Sequence, residues 1–203
     1  MYGIKKIRDM KRLFITLIAL FTLTTAQAQW LDALKKVATE AIDQATDGKL
    51  TQLAVIGSWS YSAPAVKLEG DNALSNIGGS AVSATLGDKL EKIFTKVGIS
   101  SGFCSVTFNE DGTYTMPVKG REIKGTYTYN SNDHSLLLKV GQSGKVEVKG
   151  YAYISGTNLQ VVFPINKLTD FMVAIGSNIR SLSSITKLIE QYENIYLGFE
   201  FAR

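Results

Sequence analysis

Residues 103–116 read FCSVTFNEDGTYTM, and from Phe103 onward side chains alternate with a period of two. Cys104, Val106 and Phe108 fall on one face, with Ser105, Thr107 and Asn109 on the other. Successive side chains of a strand point to opposite faces, so this is a half-buried strand. Asp111-Gly112 follows as a tight hairpin turn, where glycine accepts positive φ, and Tyr114, Met116 and Val118 resume the apolar face. Lys119-Gly120 turns the chain again. Ile123, Tyr127 and Tyr129 form the next strand, and Asn130 to Asp133 its turn. Leu136, Leu138 and Val140 come next, then a glycine-bounded turn at Gly141 to Gly144, Val146 and Val148, and Tyr151 and Tyr153. Ser155-Gly156 leads into Leu159 to Phe163. A meander of about six short strands, turning every 8–12 residues, predicts an antiparallel barrel or sandwich.

Outward from the meander, Leu53 to Glu69 contains Gly57-Ser58-Trp59-Ser60-Tyr61, which places Trp59 and Tyr61 on one strand face; Pro64 weakens or bends that strand. Ile195, Leu197, Phe199 and Phe201 alternate as a final strand that pairs with the first and closes a barrel without open edges. Helical spacing marks three regions. Trp30 to Thr46 carries Leu31, Leu34, Val37, Ala38, Ala41, Ile42 and Ala45, with a stop at Asp47-Gly48; its stripe is expected to dock on the domain. Asp71 to Val97 reads as one long helix or two short ones, with Gly78-Gly79 and Gly87 as breaks and Gly98 as the stop. Near the end, Leu168, Phe171, Met172 and Ile175 form one stripe, and Leu182, Ile185, Leu188, Ile189 and Tyr192 another. The fold class is therefore α+β. An outer-membrane barrel is not expected, since spanning strands need about 9–11 residues, most strands here are shorter, and three helical segments have no natural place in such a barrel.

The N-terminus reads as an export signal. Lys11 and Arg12 precede the apolar run Leu13 to Leu23, and Ala26-Gln27-Ala28 supplies the small-x-small cleavage site. The run is shorter than the roughly 20 residues a membrane-spanning helix needs. Met10-Lys11-Arg12 is the typical opening, so the first nine residues read as an upstream extension. The expected organisation is a signal over 1–28, an N-terminal helix over 29–50, and a barrel domain over 51–203 with a helical insert at 71–97. Of 22 basic and 18 acidic residues, the signal takes Lys5, Lys6, Arg8, Lys11, Arg12 and Asp9, leaving 17 of each. The mature chain has no basic excess for nucleic acid. It is expected in the periplasm or outside the cell, with no membrane span.

Catalytic chemistry has no local motif. Cys104 is the single cysteine, alternates with Val106 and Phe108, and reads as a small buried hydrophobe. His134 is the single histidine and lies in the turn Asn132-Asp133-His134, where it reads as solvated. One histidine and one cysteine do not make a zinc site, and neither Asp71-Asn72 nor Asn109-Glu110-Asp111-Gly112 has the spacing of a calcium loop. The expectation is a protein that is not an enzyme and uses no cofactor or metal. The competing class is a hydrolase built from scattered carboxylates, which would need two inward acids in one cleft. Trp59, Tyr61, Phe108, Tyr114, Met116, Tyr127 and Leu138 are expected to face the interior together, as a packed core or as the wall of a ligand pocket. Arg121 shares their parity but adjoins the Lys119-Gly120 turn, which favours solvent.

Gly57-Ser58-Trp59 at the first strand, followed by Phe108-Asn109-Glu110-Asp111-Gly112-Thr113-Tyr114 and Gly125-Thr126-Tyr127, resembles lipocalin-like domains. More closely, the chain resembles a family of secreted lipocalin-like proteins of unknown function from Bacteroidetes, over about Gln52 to Phe201. The resemblance implies an up-and-down barrel of about eight strands, whose interior is filled or holds one small apolar ligand. The helical insert is similar to the lid of fatty-acid-binding proteins, which hold a carboxylate with buried arginines; past the signal this chain has only Arg121, Arg180 and Arg203. Two functions follow as expectations. One is binding of a small apolar or amphipathic ligand in the barrel, with the 71–97 insert as lid. The other is a structural or protein-interaction module of the cell envelope that holds no ligand.

Overall fold

The meander closes on itself. The computed structural model describes residues 26–68, 76–141, 144–176 and 195–203, the side chains of 26–33, 68 and 76–82 excepted. Eight strands run β1 (Gly57–Leu68), β2 (Ser105–Phe108), β3 (Thr113–Val118), β4 (Arg121–Asn130), β5 (Ser135–Val140), β6 (Val146–Ser155), β7 (Asn158–Pro164) and β8 (Ile195–Ala202). They form a closed barrel in chain order, every neighbouring pair antiparallel, with β1 joining β8. Among the described residues four helices accompany them: α1 (Ala26–Ala45), α2 (Lys49–Ala54), α3 (Asn76–Lys96) and α4 (Ile165–Ala174). α2 runs across the expected boundary between residues 50 and 51. The expected export run and the stripe from Leu182 to Tyr192 lie outside the described residues. Among the described residues no helix is long and apolar enough to cross a membrane.

β1 runs straight through Pro64. β2 pairs only with Gly57 to Ser60, so Pro64 has β8 on one side and no strand on the other. Proline is tolerated there because the strand has a ladder partner on one side only. The register with β8 shifts between Tyr61 and Ala63, a bulge that exchanges the faces of the strand. Trp59 and Tyr61 point in before it, and Val66 packs on the core after it.

One detail departs from the sequence reading. β6 is one strand of single parity, with Val148, Ala152 and Ile154 inward, so Tyr151 and Tyr153 face outward. Gly150 lies on the inner side because a Cβ there would press on the Phe163 ring, 2.5 Å from Cδ1. Of the two alternatives for the 71–97 insert, the described residues carry the single long helix, α3, which neither Gly78-Gly79 nor Gly87 breaks. Leu86, Leu90, Ile93, Phe94 and Val97 bury its apolar side. Phe94 lies 4.7 Å from Phe199 and edge-on to Tyr61, so α3 packs against the part of β1 that lacks a second strand.

The barrel has two different ends. At one, α3 and α4 supply apolar side chains; Phe171 of α4 stacks on Phe163 at 5.5 Å and meets Phe199 at 5.8 Å. At the other lie α1, α2 and the turns after β4 and β6.

Candidate functional site

The interior is the natural place for a lipocalin-like site. Phe108, Tyr114, Met116 and Leu138 converge there as expected, joined by Phe163, Phe171, Phe199 and others. The space they leave is about 20 Å³. That is room for about one water, against the roughly 300 Å³ or more of a drug-sized pocket. The three phenylalanines were absent from the expected set. Their signal was present in the alternation of Phe199 with Phe201 and in the Leu168–Phe171–Met172 stripe, but nothing in the sequence aims a helix into a barrel end.

The other expected residues close the barrel instead of lining the gap. Trp59 is buried, donates from Nε1 to the Val55 carbonyl at 3.0 Å, and is covered by the Arg203 guanidinium 4.2 Å from its ring. Arg203 also donates to the carbonyls of Ala54 and Ile56, at 3.0 and 2.6 Å, locking the end of β8 onto the entry to β1. Tyr61 donates to Glu91 of α3 at 2.6 Å; burial, then the Glu91 contact, pushes its hydroxyl well above the usual tyrosine range. Tyr127 is half-buried, edge-on to Phe108 at 4.9 Å, and donates to the Asn109 carbonyl at 2.8 Å. Tyr114 is the exception in polarity. It lines the gap, its buried hydroxyl has no partner among the described residues, and burial pushes it up to about 12.

Arg121 is exposed and donates to the Ile175 carbonyl at 3.0 Å, which ties β4 to the end of α4. Cys104 is buried, and burial pushes its thiol up to about 12, which leaves it protonated and inert as a nucleophile at neutral pH. Asp111 and Asp133 each accept from a backbone N–H two residues on, at 2.9 and 3.0 Å, as turn chemistry does. Among the described residues no three His, Cys, Asp or Glu side chains are grouped to hold a metal. A shallow hollow of about 520 Å³ lies on the outer wall over β3, β4 and β5, edged by Thr115, Lys124, Thr126 and Lys139. Its lysines pair with neighbouring Glu122 and Glu147 at 2.8 Å, so they do not converge on its centre.

His134 corrects the sequence reading, which placed it in solvent. Its side chain is 19% exposed, and Nδ1 lies 3.6 Å from Asp43 Oδ2 and 2.9 Å from the Tyr129 hydroxyl, with the Tyr153 ring at 4.9 Å. A turn histidine is solvated only if nothing covers the turn; here α1 and α2 do. Asp43 of α1 is itself buried and accepts from the Thr51 N–H at 2.8 Å and from the Thr51 hydroxyl, while Thr51 accepts from the Ile154 N–H at 2.9 Å. A buried carboxylate is tolerated only when hydrogen-bonded. This one joins α1, α2, β6 and the β4–β5 turn. Burial, then the Asp43 charge, raises the Tyr129 hydroxyl above the tyrosine range.

The same contacts overturn the expected docking of α1. Its polar side meets the barrel: Glu40 accepts from the Ser155 hydroxyl at 3.2 Å, and the Lys36 stem lies against Gly156. Its apolar stripe faces out, with Leu34 46%, Val37 39% and Ile42 54% exposed.

The profile of the lipocalin-like domain DUF4923 matches residues 31–203 of the chain. A crystal structure of a DUF4847 family protein from Bacteroides vulgatus is similar at 15% identity and a TM-score of 0.36, covering 75% of this chain and 96% of that one. So loose a likeness says nothing of ligand or role. No curated protein matches the chain.

Proposed function

The chain belongs to the lipocalin-like DUF4923 family, and from that premise we propose that it acts through its outer surface, as a structural or interaction module of the cell envelope, and not as a carrier. The observation that carries this reading is the interior space of about 20 Å³. A ligand of about 300 Å³ would have to displace several of the phenylalanines that fill the barrel. The export signal read in residues 1–28 supports the compartment. The inert thiol of Cys104 and the turn roles of Asp111 and Asp133 support a role without catalysis.

Native mass spectrometry of material purified from its own cell tests the reading. The expected mass is that of the polypeptide alone. A small molecule retained in stoichiometric amount, and lost on substituting Phe108 or Tyr114 by Ala, would restore the carrier function.

A further inference from the structure

We propose that His134 is a proton-operated latch: on taking up a proton it pairs with Asp43 and holds α1 and α2 more tightly to the barrel. The latch is a device of the fold and does not depend on whether the surface or the interior carries the function.

The imidazole sits where three segments meet. The β4–β5 turn presents it from a residue with φ 55°, a left-handed backbone that asparagine also accepts. The turn between α1 and α2 closes over it, so that a Cβ on Gly48 would come within 3.0 Å of His134 Cε1. Beneath it lie the Tyr129 hydroxyl of β4, 2.9 Å from Nδ1, and the Tyr153 ring of β6 at 4.9 Å. Asp43 Oδ2 of α1 is 3.6 Å from that same Nδ1. One nitrogen therefore meets two oxygens with opposite demands. A phenol O–H donates to a bare Nδ1, whereas a carboxylate accepts only from a protonated one.

In the neutral ring Tyr129 donates to Nδ1, the ring proton is on Nε2, and Asp43 faces a lone pair. When a proton arrives from solvent, Nδ1–H donates to Asp43 and Tyr129 turns its hydroxyl to the Ala152 carbonyl, 3.5 Å away. The other charges around the ring are engaged or face solvent. Asp133 accepts from the Ser135 N–H and lies 3.7 Å from Lys149. Lys67 of β1 lies on the Tyr153 ring, 4.4 Å from its centroid, and Asp47 and Lys49 beside Gly48 are exposed. Tyr129, raised by burial above the tyrosine range, stays neutral throughout. A negative charge within about 4 Å favours the imidazolium, and only docked α1 supplies it. Docking is therefore strongest below the ordinary histidine range, about pH 6.5, and weakens as pH rises through it.

Hydrogen exchange of the full chain at pH 5.5 and 7.5, corrected for intrinsic rates, tests the latch. The Thr51 N–H, which donates to Asp43, and the amides of Ile42 to Thr46 report docking. Those of Leu86 to Phe94 in α3, held by apolar contacts, are the reference. Protection of the first group relative to the second should be about tenfold higher at the lower pH. His134→Asn keeps the left-handed turn and does not titrate, so its ratio should be the same at both pH values. Asp43→Asn keeps an acceptor for Thr51 without the charge, and should lose the increase or reverse it. An unchanged ratio in the natural chain overturns the proposal, as does a tenfold increase that survives either substitution. Should a variant fail to fold, the natural chain still decides: nitrogen chemical shifts at pH 7.5 should place the ring proton on Nε2, and a neutral ring protonated on Nδ1 overturns the latch.

Discussion

α1 and α3 read alike in the sequence and sit oppositely in the fold. Each has an apolar stripe at helical spacing, yet α3 buries Leu86, Leu90, Ile93 and Phe94, whereas α1 exposes Leu34, Val37 and Ile42 and buries Asp43. The difference lies in the receiving surface. α3 lies on β1, where only β8 pairs with it and Tyr61 and Phe199 are open to an apolar neighbour. α1 arrives at an end already sealed by α2, Trp59 and Arg203, where what remains is a hydroxyl on Thr51, a hydroxyl on Ser155 and the bare backbone of Gly156. A stripe says that a helix has two sides; the surface it meets decides which side goes in.

The largest effect should come from breaking the α3 side of this comparison. Phe94→Ala removes a ring held between Tyr61 and Phe199, and a phenylalanine deleted from a core costs about 3–5 kcal/mol. Urea unfolding should show that loss. A cost below about 1 kcal/mol would mean that α3 is not part of the core.

Asp43→Ala attacks the α1 side through its polar seat. It leaves the Thr51 N–H and hydroxyl without their acceptor in a buried position, and hydrogen bonds to a charged group are worth about 1.5–3 kcal/mol. The loss should be about 2–3 kcal/mol, smaller than that of Phe94→Ala, and accompanied by faster amide exchange in α1 than in α3. Equal protection of the two helices in the variant would show that Asp43 does not hold α1 down.

Much of the barrel was legible. Period-two alternation from Phe103 and the turns at Asp111-Gly112 and Ser155-Gly156 give the strands, and the alternation from Ile195 to Phe201 gives the closing pair. What could not be read was long-range. His134 lies in a turn, and no local pattern says that Asp43, some ninety residues earlier, will come to lie 3.6 Å from it. Trp59, Tyr61 and Tyr127 were correctly given an apolar side, but whether that side lines a space or plugs an end depends on Arg203, Glu91 and Asn109. The narrowness of the gap beside Phe108 and Tyr114 was equally hidden, because it depends on Phe171 entering from α4.

Tyr114 makes a smaller contrast within that interior, as its hydroxyl stands among apolar neighbours and has no partner among the described residues. An unpartnered buried hydroxyl costs about 1–3 kcal/mol, so Tyr114→Phe should be neutral or stabilise by about 1 kcal/mol. The pH dependence has a definite sign. Burial raises Tyr114 from 10.0 to about 12 and Cys104 from 9.0 to about 12, so the fold favours the protonated forms. Their contribution is fully present below pH 9 and is lost as pH rises from there through about 12. Tyr114→Phe should make the alkaline loss of stability shallower in urea titrations at pH 9 to 11. An unchanged slope would mean that Tyr114 reaches solvent in the folded protein.

The smallest expected effect is the one that fixes the comparison. Leu34→Ser with Ile42→Ser replaces two large apolar side chains that are 46% and 54% exposed. Had they been docked as the sequence pattern suggests, the pair would cost several kcal/mol, as buried leucine and isoleucine truncations do at about 2–5 kcal/mol each. On a face turned to solvent, each change should stay within about 0.5 kcal/mol, with helix propensity the main term. The measurement belongs at low protein concentration, since a second copy would cover the face and change the answer. A loss of 2 kcal/mol or more under those conditions, on the scale of a core truncation, would mean that α1 packs its stripe inward after all and that the buried Asp43 seat is not its resting place. A null result, beside the large loss from Phe94→Ala, would establish that two helices of the same pattern are held to one barrel by opposite sides.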